Sequence, residues 1–243
     1  MADSLASAIE YVRDGARSVS VSGLTTPSAR AFFVARLFAG TRRRIAFITS
    51  SNNEAEEYAD EIRSFSELNS TGPATVAMLP AFESDPYSGT SPHAGTEETR
   101  ALTLFGLANN AIDIVVLPVR SLLFRTPSGN EIRDLGVFLK AGDWFEPTEV
   151  RKKLIASGYL LEDPVAGQGQ YSFRGGIVDI WPAGAEDPVR IEFFGDEIES
   201  MRTFDPETQR SIDRVPEIVV PPMRVFAVTS DAFREWAAEA KDR

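Results

Sequence analysis

The sequence predicts an α/β chain in two parts, a parallel-sheet domain followed by a small α+β domain, and three observations lead to that reading. Short continuous apolar runs, Arg44–Thr49 (RIAFIT) and Asp113–Leu117 (DIVVL), alternate with helix-period segments through the first half. Around Thr126–Gly129 (TPSG) this rhythm stops. Beyond it, Gln170–Arg210 shows strand alternation interrupted by turn residues.

Taken in order, Asp3 or Ser4 can cap a first helix that runs to about Arg13, where Gly15 breaks it. Ser18–Ser22 (SVSVS) reads as a short strand, Ala29–Phe38 as a helix and Arg44–Thr49 as a buried strand. Glu54–Phe65 then reads as a helix, Thr75–Leu79 as a strand, Glu97–Asn109 as a helix and Asp113–Leu117 as a second buried strand. Buried strands separated by helices imply a parallel sheet covered on both faces. The second part holds an apolar stretch at Gly136–Leu139, a helix at Pro147–Ser157, and antiparallel strands joined by turns at Pro182–Pro188 and Asp205–Thr208. Val219-Val220-Pro221-Pro222 reads as a linker and Asp231–Asp242 as the start of a further helix. The chain stops in mid-pattern on AAEAKDR, as an N-terminal fragment of a longer protein would.

Composition excludes several function classes. At 243 residues, 43% hydrophobic and 25% charged, the chain has an ordinary soluble globular balance with room for two modest domains. No apolar run approaches the roughly 18 to 20 residues that span a bilayer. The N-terminus lacks the basic start and apolar centre of a signal peptide, so a cytoplasmic location and no membrane partner are expected. With no cysteine and one histidine there is no disulfide framework and no thiolate or multi-histidine metal site, and no metal is expected. A net charge of -11 repels nucleic acid at long range, so DNA binding by this chain alone is not expected. The one basic cluster, Arg42-Arg43-Arg44, reads as a solvated helix-to-strand turn.

The segment Gly23–Arg30 lies where a helicase-type motor places its phosphate-binding loop. Such a loop needs glycines for close backbone approach, a lysine for the terminal phosphates and a hydroxyl for Mg²⁺. Here Gly23 is its one glycine, Ala29 occupies the lysine position, Arg30 occupies the hydroxyl position, and Pro27 removes an N–H. Arg30 cannot replace the lysine without remodelling, since one helical position rotates a side chain by about 100°. No cofactor is expected for this chain. His93 has no nucleophile or metal partner at a diagnostic spacing and reads as a turn contact; Glu83 and Asp85 read as turn and cap residues.

Recognition chemistry concentrates in the second part. As a strand, Val189–Phe194 sends Val189, Ile191 and Phe193 to a core face and Arg190, Glu192 and Phe194 outward, unless a bulge at Gly195 exchanges the two phenylalanines. Arg174 precedes Gly175-Gly176, where another backbone can come close, and its side chain either stands free or pairs with Glu192 or Glu197. A large ring beside arginines is the composition of interface anchors, although an isolated exposed ring is also common. Asp179, Trp181 and Pro182 read as scaffold: a strand end, a core aromatic and a turn.

Three blocks in register, RGGIVDIWP at Arg174–Pro182, VRIEFFGDEIES at Val189–Ser200 and RTFDPETQRS at Arg202–Ser211, resemble the domain shared by bacterial transcription-repair coupling factors and UvrB. The DPY…SPH pattern at Asp85–His93 resembles the coupling factors' version, and Pro80–Arg100 lacks the tyrosine-rich hairpin of UvrB, with Tyr87 its one tyrosine. The resemblance implies a degenerate RecA-like domain (helicase-type, P-loop NTPase-like) at 1–129, comparable to UvrB domain 1a. It implies an inserted α+β UvrA-interaction domain at 130–214, comparable to UvrB domain 2, and a linker with the start of a 1b-like domain at 215–243. It places UvrA contacts on Arg174, Arg190 and Phe194, with no catalytic residues. For the full-length family it implies ATP and Mg²⁺ in a motor, RNA polymerase and double-stranded DNA as further partners, and a docking face masked by the C-terminal part. The competing reading is a UvrB-type, nucleotide-dependent damage-processing subunit.

Overall fold

The computed structural model describes residues 2–69, 72–83, 92–227, 229 and 234. The chain forms two units, residues 1–99 with 109–125 and residues 100–108 with 126–243.

The first unit begins with helix α1 (Ala2–Arg13), followed by α2 (Pro27–Thr41), strand β1 (Ile45–Thr49), α3 (Asn52–Glu67) and β2 (Val76–Met78). Helix α4 (Ala94–Ala108) starts in this unit, which closes with β3 (Ile114–Pro118) and a 3-10 turn at Val119–Leu123. The three strands are parallel in the order β1-β3-β2, with Ile45 and Val76 both opposite Ile114. Their core is supplied by matching helical stripes, Ala31, Val34, Ala35 and Phe38 on α2 and Ala55, Tyr58, Ala59 and Ile62 on α3. That i, i+3, i+4, i+7 spacing is what lets each helix bury one face.

Two expectations fail in this unit. Ser18–Ser22 is not a strand. Two valines alternating with serines bury too little apolar area to hold a sheet edge, and serines favour local backbone hydrogen bonding. Strand β1 is half-buried rather than enclosed: Phe47 meets Tyr58 edge-on at 4.7 Å, while Ala46 and Ile48 are exposed. The central strand β3 is the buried one.

The second unit adds α5 (Gly129–Leu135), β4 (Val137–Lys140), α6 (Pro147–Ala156), β5 (Leu160–Leu161), β6 (Gln170–Arg174), β7 (Ile177–Ile180), β8 (Val189–Phe194), β9 (Glu197–Phe204), β10 (Ser211–Arg214) and β11 (Glu217–Val220). Helix α5 has no counterpart in the sequence reading, yet its capping box is explicit: Ser128 accepts from the Glu131 N–H and the Glu131 carboxylate accepts from the Ser128 N–H. Strands β5 to β10 form a six-stranded sheet in the order β10-β9-β8-β7-β6-β5, antiparallel except for β5 with β6. Val150 and Leu154 of α6 join Tyr171, Val178, Ile180, Ile191 and Met201 of the sheet in one core. The linker expected at Val219-Val220 is corrected: both belong to β11, which pairs antiparallel with β4 and puts Val220 into that core. Strand pairing satisfies the backbone, and Val220 opposite Val137 gives it a buried partner. The helix expected at Asp231–Asp242 lies almost wholly outside the described residues, as do Asp85 and Tyr87.

No described helix is long and apolar enough to cross a membrane, and no group of three or more His, Cys, Asp or Glu among the described residues could hold a metal ion.

Candidate protein-docking face

The six-stranded sheet has one face on the core and one face outward, and strand register decides which residues share the outward face. Residues directly opposite across a ladder project to the same side. One cross-strand row runs Arg174, Ile177, Glu192, Ser200; the next runs Ser172, Asp179, Arg190, Arg202. Alternation along β8 then places Phe194 with Arg190 and Glu192. The three residues predicted from sequence therefore share one sheet face.

Phe194 is 77% exposed, whereas Phe193 is buried. The irregularity in this ladder lies between Glu192 and Phe193 in the pairing with β9, and it does not exchange the two rings. Phe194 and Glu197 flank the two-residue turn Gly195-Asp196, with Gly195 at φ 63° as the first residue of such a turn requires.

Arg174 ends β6 beside a second turn of this kind, Gly175-Gly176, with Gly175 at φ 57°. A Cβ on Gly176 would lie 2.9 Å from the Phe193 carbonyl oxygen, and the Phe193 N–H donates to the Gly176 carbonyl at 2.8 Å. The close backbone approach read from the glycine pair is real. The partner of Arg174 differs from both candidates: it forms an ion pair with Asp163, and both side chains are more than half exposed. A pair so exposed contributes about 0 to 1 kcal/mol, so the guanidinium is readily given up to another partner.

Arg190 departs most from expectation. Its Nε and Nη2 donate to the two carboxylate oxygens of Asp179 at 2.7 and 2.8 Å, Nη1 and Nη2 reach the Gln209 carbonyl and Oε1 at 3.4 Å, and the guanidinium carbon lies 4.8 Å from the Phe204 ring centre. Its side chain is only 22% exposed and the Asp179 side chain 3%. The hydrogen bond from Asp179 raises the Arg190 pKa above its already high ordinary value, so its charge is permanent. Arg190 is thus a strut of the face rather than a free cation. Asp179, read as a strand end, is the buried half of that strut. The turn after β9 completes it: the Asp205 carboxylate accepts from the Glu207 and Thr208 N–H groups, and this brings Gln209, at φ 58°, against Arg190. A charge within an apolar strand, as in Ile177–Ile180 (IVDI), is the signal that could have located this pair.

Elsewhere, the Gly23–Arg30 segment, read from the sequence as lacking the groups of a phosphate loop, hydrogen-bonds to the chain's own groups. Thr26 caps α2 by accepting from the Ala29 N–H, and Pro27 takes the first helical position. Arg30 donates to the Leu24 carbonyl at 3.0 Å and to the Tyr58 hydroxyl at 3.3 Å, while Gly23 turns the chain at φ 86°. Arg43 and Arg44 donate to the Arg13 carbonyl and to Asn110, and Arg42 ends α2 in the left-handed region, so the basic cluster is a turn. His93 accepts from the Gly95 N–H at 3.2 Å at the start of α4, and Glu83 accepts from the Asn52 amide at 3.0 Å.

A family model described as the UvrB interaction domain matches residues 137–226, from β4 past β11. The matched residues all fall in the second unit. Over nearly its whole length the chain is also similar to transcription-repair-coupling factors. Identity is 29% over 222 residues with that of Haemophilus influenzae, covering 91% of this chain and 19% of the relative. It is 30% over 228 residues with that of Bacillus subtilis and 31% over 230 with that of Myxococcus xanthus, each covering 93% of this chain and 19% of the relative. The chain therefore spans about a fifth of the length of these relatives. Arg174, Arg190 and Phe194 all lie inside the matched residues, as do their structural partners Asp163, Asp179 and Gln209.

Proposed function

We propose that this chain is the UvrB-homology region of a transcription-repair-coupling factor and serves as an interaction module that docks UvrA, so recruiting nucleotide excision repair to stalled RNA polymerase. The observation that carries this reading is an exposed phenylalanine at a tight turn, with Arg174 on the same outward sheet face, inside a UvrB interaction domain. Phe194 supplies the apolar anchor and Arg174 a cation that exchanges its weak pair with Asp163 for a partner carboxylate. Arg190 contributes one guanidinium edge and, chiefly, the rigidity of strand β8.

The first unit, on this reading, is a degenerate RecA-like domain whose loop at Gly23, Ala29 and Arg30 no longer takes nucleotide, because Arg30 fills the space with contacts to Leu24 and Tyr58. The chain does no chemistry, and ATP hydrolysis, polymerase binding and movement on duplex DNA belong to other parts of the full-length protein. The parsing into 1–129, 130–214 and 215–243, and a cytoplasmic location, are part of the same proposal.

Titration with purified UvrA is the test. The chain binds saturably, and Arg174→Ala weakens binding by about 1 kcal/mol or more while leaving the unfolding temperature unchanged, because the pair it breaks is exposed. Absence of saturable binding by the unaltered chain overturns the proposal.

A further inference from the structure

Trp144 is as exposed as Phe194, at 77%, and no sequence pattern singles it out. It lies in the connection between β4 and α6 and forms an antiparallel bridge with Glu197. The bridge is closed on both sides: the Phe145 N–H donates to the Asp196 carbonyl at 2.7 Å and the Ile198 N–H to the Asp143 carbonyl at 2.9 Å. Glu197 is at the same time the cross-strand partner of Phe194. Directly opposed residues share a face, so two exposed aromatic rings flank one carboxylate. With strands about 4.8 Å apart, the two ring-bearing backbones are separated by roughly 10 Å, enough for one flat group to enter between the rings.

The residues named beside the two rings, Asp143, Asp196 and Glu197, are all acidic. Asp143 and Asp196 adjoin Trp144 and the turn, both exposed, and none of Asp143, Asp196 and Glu197 forms an ion pair with a described residue. Two arginines of the face, Arg174 and Arg190, pair instead with Asp163 and Asp179. Aromatic faces attract cations, a guanidinium stacks on them, and a carboxylate between the rings supplies a charge-assisted hydrogen bond.

We propose that Trp144, Glu197 and Phe194 form a receptor for an arginine side chain of the docked protein, so that the face takes up a partner cation at this end and offers its own cation, Arg174, at the other. The inference rests on the docking reading above and gives that site its polarity. It adds Trp144 as an anchor and Glu197 as the counter-charge.

The test is a titration of purified UvrA against the whole chain and three variants, Trp144→Ala, Glu197→Gln and Phe194→Ala, with thermal unfolding of each recorded alongside. Trp144 and Phe194 are exposed and Glu197→Gln preserves shape, so all three variants remain folded. Trp144→Ala and Glu197→Gln each weaken binding about fivefold or more, and the Glu197→Gln effect shrinks as salt rises. Wild-type affinity in either variant overturns the arginine receptor. The Phe194→Ala arm separates the two failures: if it alone weakens binding, the docking face stands without the receptor, and if it too binds like wild type, the docking reading falls as well.

Discussion

Arg190 and Phe194 sit four residues apart on one strand face and answer to opposite physics. Phe194 touches little and can be removed at small cost to the fold. Arg190 neutralises a carboxylate that is almost fully out of water, so Arg190→Ala leaves Asp179 buried and unpaired. Breaking such a pair costs about 2 to 3 kcal/mol here, at or below the low end of the usual range of about 3 to 5, because the arginine is partly exposed. A urea unfolding series shows the loss as a lower midpoint, with Arg174→Ala as the unaffected control. Any binding defect of Arg190→Ala therefore mixes lost contact with a disturbed strand. Sequence alternation fixed the direction of both side chains correctly because period two is a local property. It could not reveal that Asp179 and Gln209 were waiting for Arg190, since both approach from other strands and turns.

Three turns hold the face in shape at the level of the elements, and two of them are tested by single substitutions. Gly176→Ala drives a Cβ to 2.9 Å from a backbone oxygen that cannot move aside, and costs about 1 to 3 kcal/mol of stability, read from thermal or urea unfolding. The Asp205 turn is sensitive to acid. Backbone hydrogen bonds from Thr208 and Glu207 lower the pKa of Asp205 below its ordinary aspartate value. A lowered folded-state pKa means that the stabilisation is present above the unfolded value near 4 and is lost as pH falls through the folded one. Asp205→Asn should accordingly flatten the fall in stability below about pH 4, measured as the difference in urea midpoint between pH 6 and pH 3. The blocks that carry the resemblance are thus partly scaffold: the RTFDPETQRS block delivers Gln209 to Arg190. Helices α2 and α3 were legible from their apolar stripes, whereas SVSVS imitated a strand because two alternating valines satisfy the pattern without enough area to bury. Strand β11 was hidden by the prolines that follow it, and its identity comes only from pairing with β4, more than seventy residues earlier.

At the scale of the whole molecule, Arg30 in the first unit is held by Leu24 and Tyr58, whereas the second unit leaves the Phe194 ring exposed. Thermal unfolding with Mg²⁺ and ATP should show no shift. A functional loop at a hundredfold excess over its dissociation constant would add about 2.7 kcal/mol, and such a shift would favour the nucleotide-dependent alternative. The net charge of -11 suits a protein partner better than a phosphate backbone, and it is consistent with a face that accepts cations. The two-part organisation was visible in the change from helix-strand alternation to turn-rich strands. The aromatic pair beside Glu197 was not, because Trp144 reaches that position through a single bridge from an irregular segment.

On the proposed function, Phe194 anchors UvrA on the outward face of the second-unit sheet. The most direct test of that anchoring is the affinity of purified UvrA for the chain with and without Phe194→Ala, measured by calorimetric titration. The expected result is a loss of about 2 kcal/mol, roughly thirtyfold, with an unchanged unfolding temperature. An unchanged affinity would contradict it.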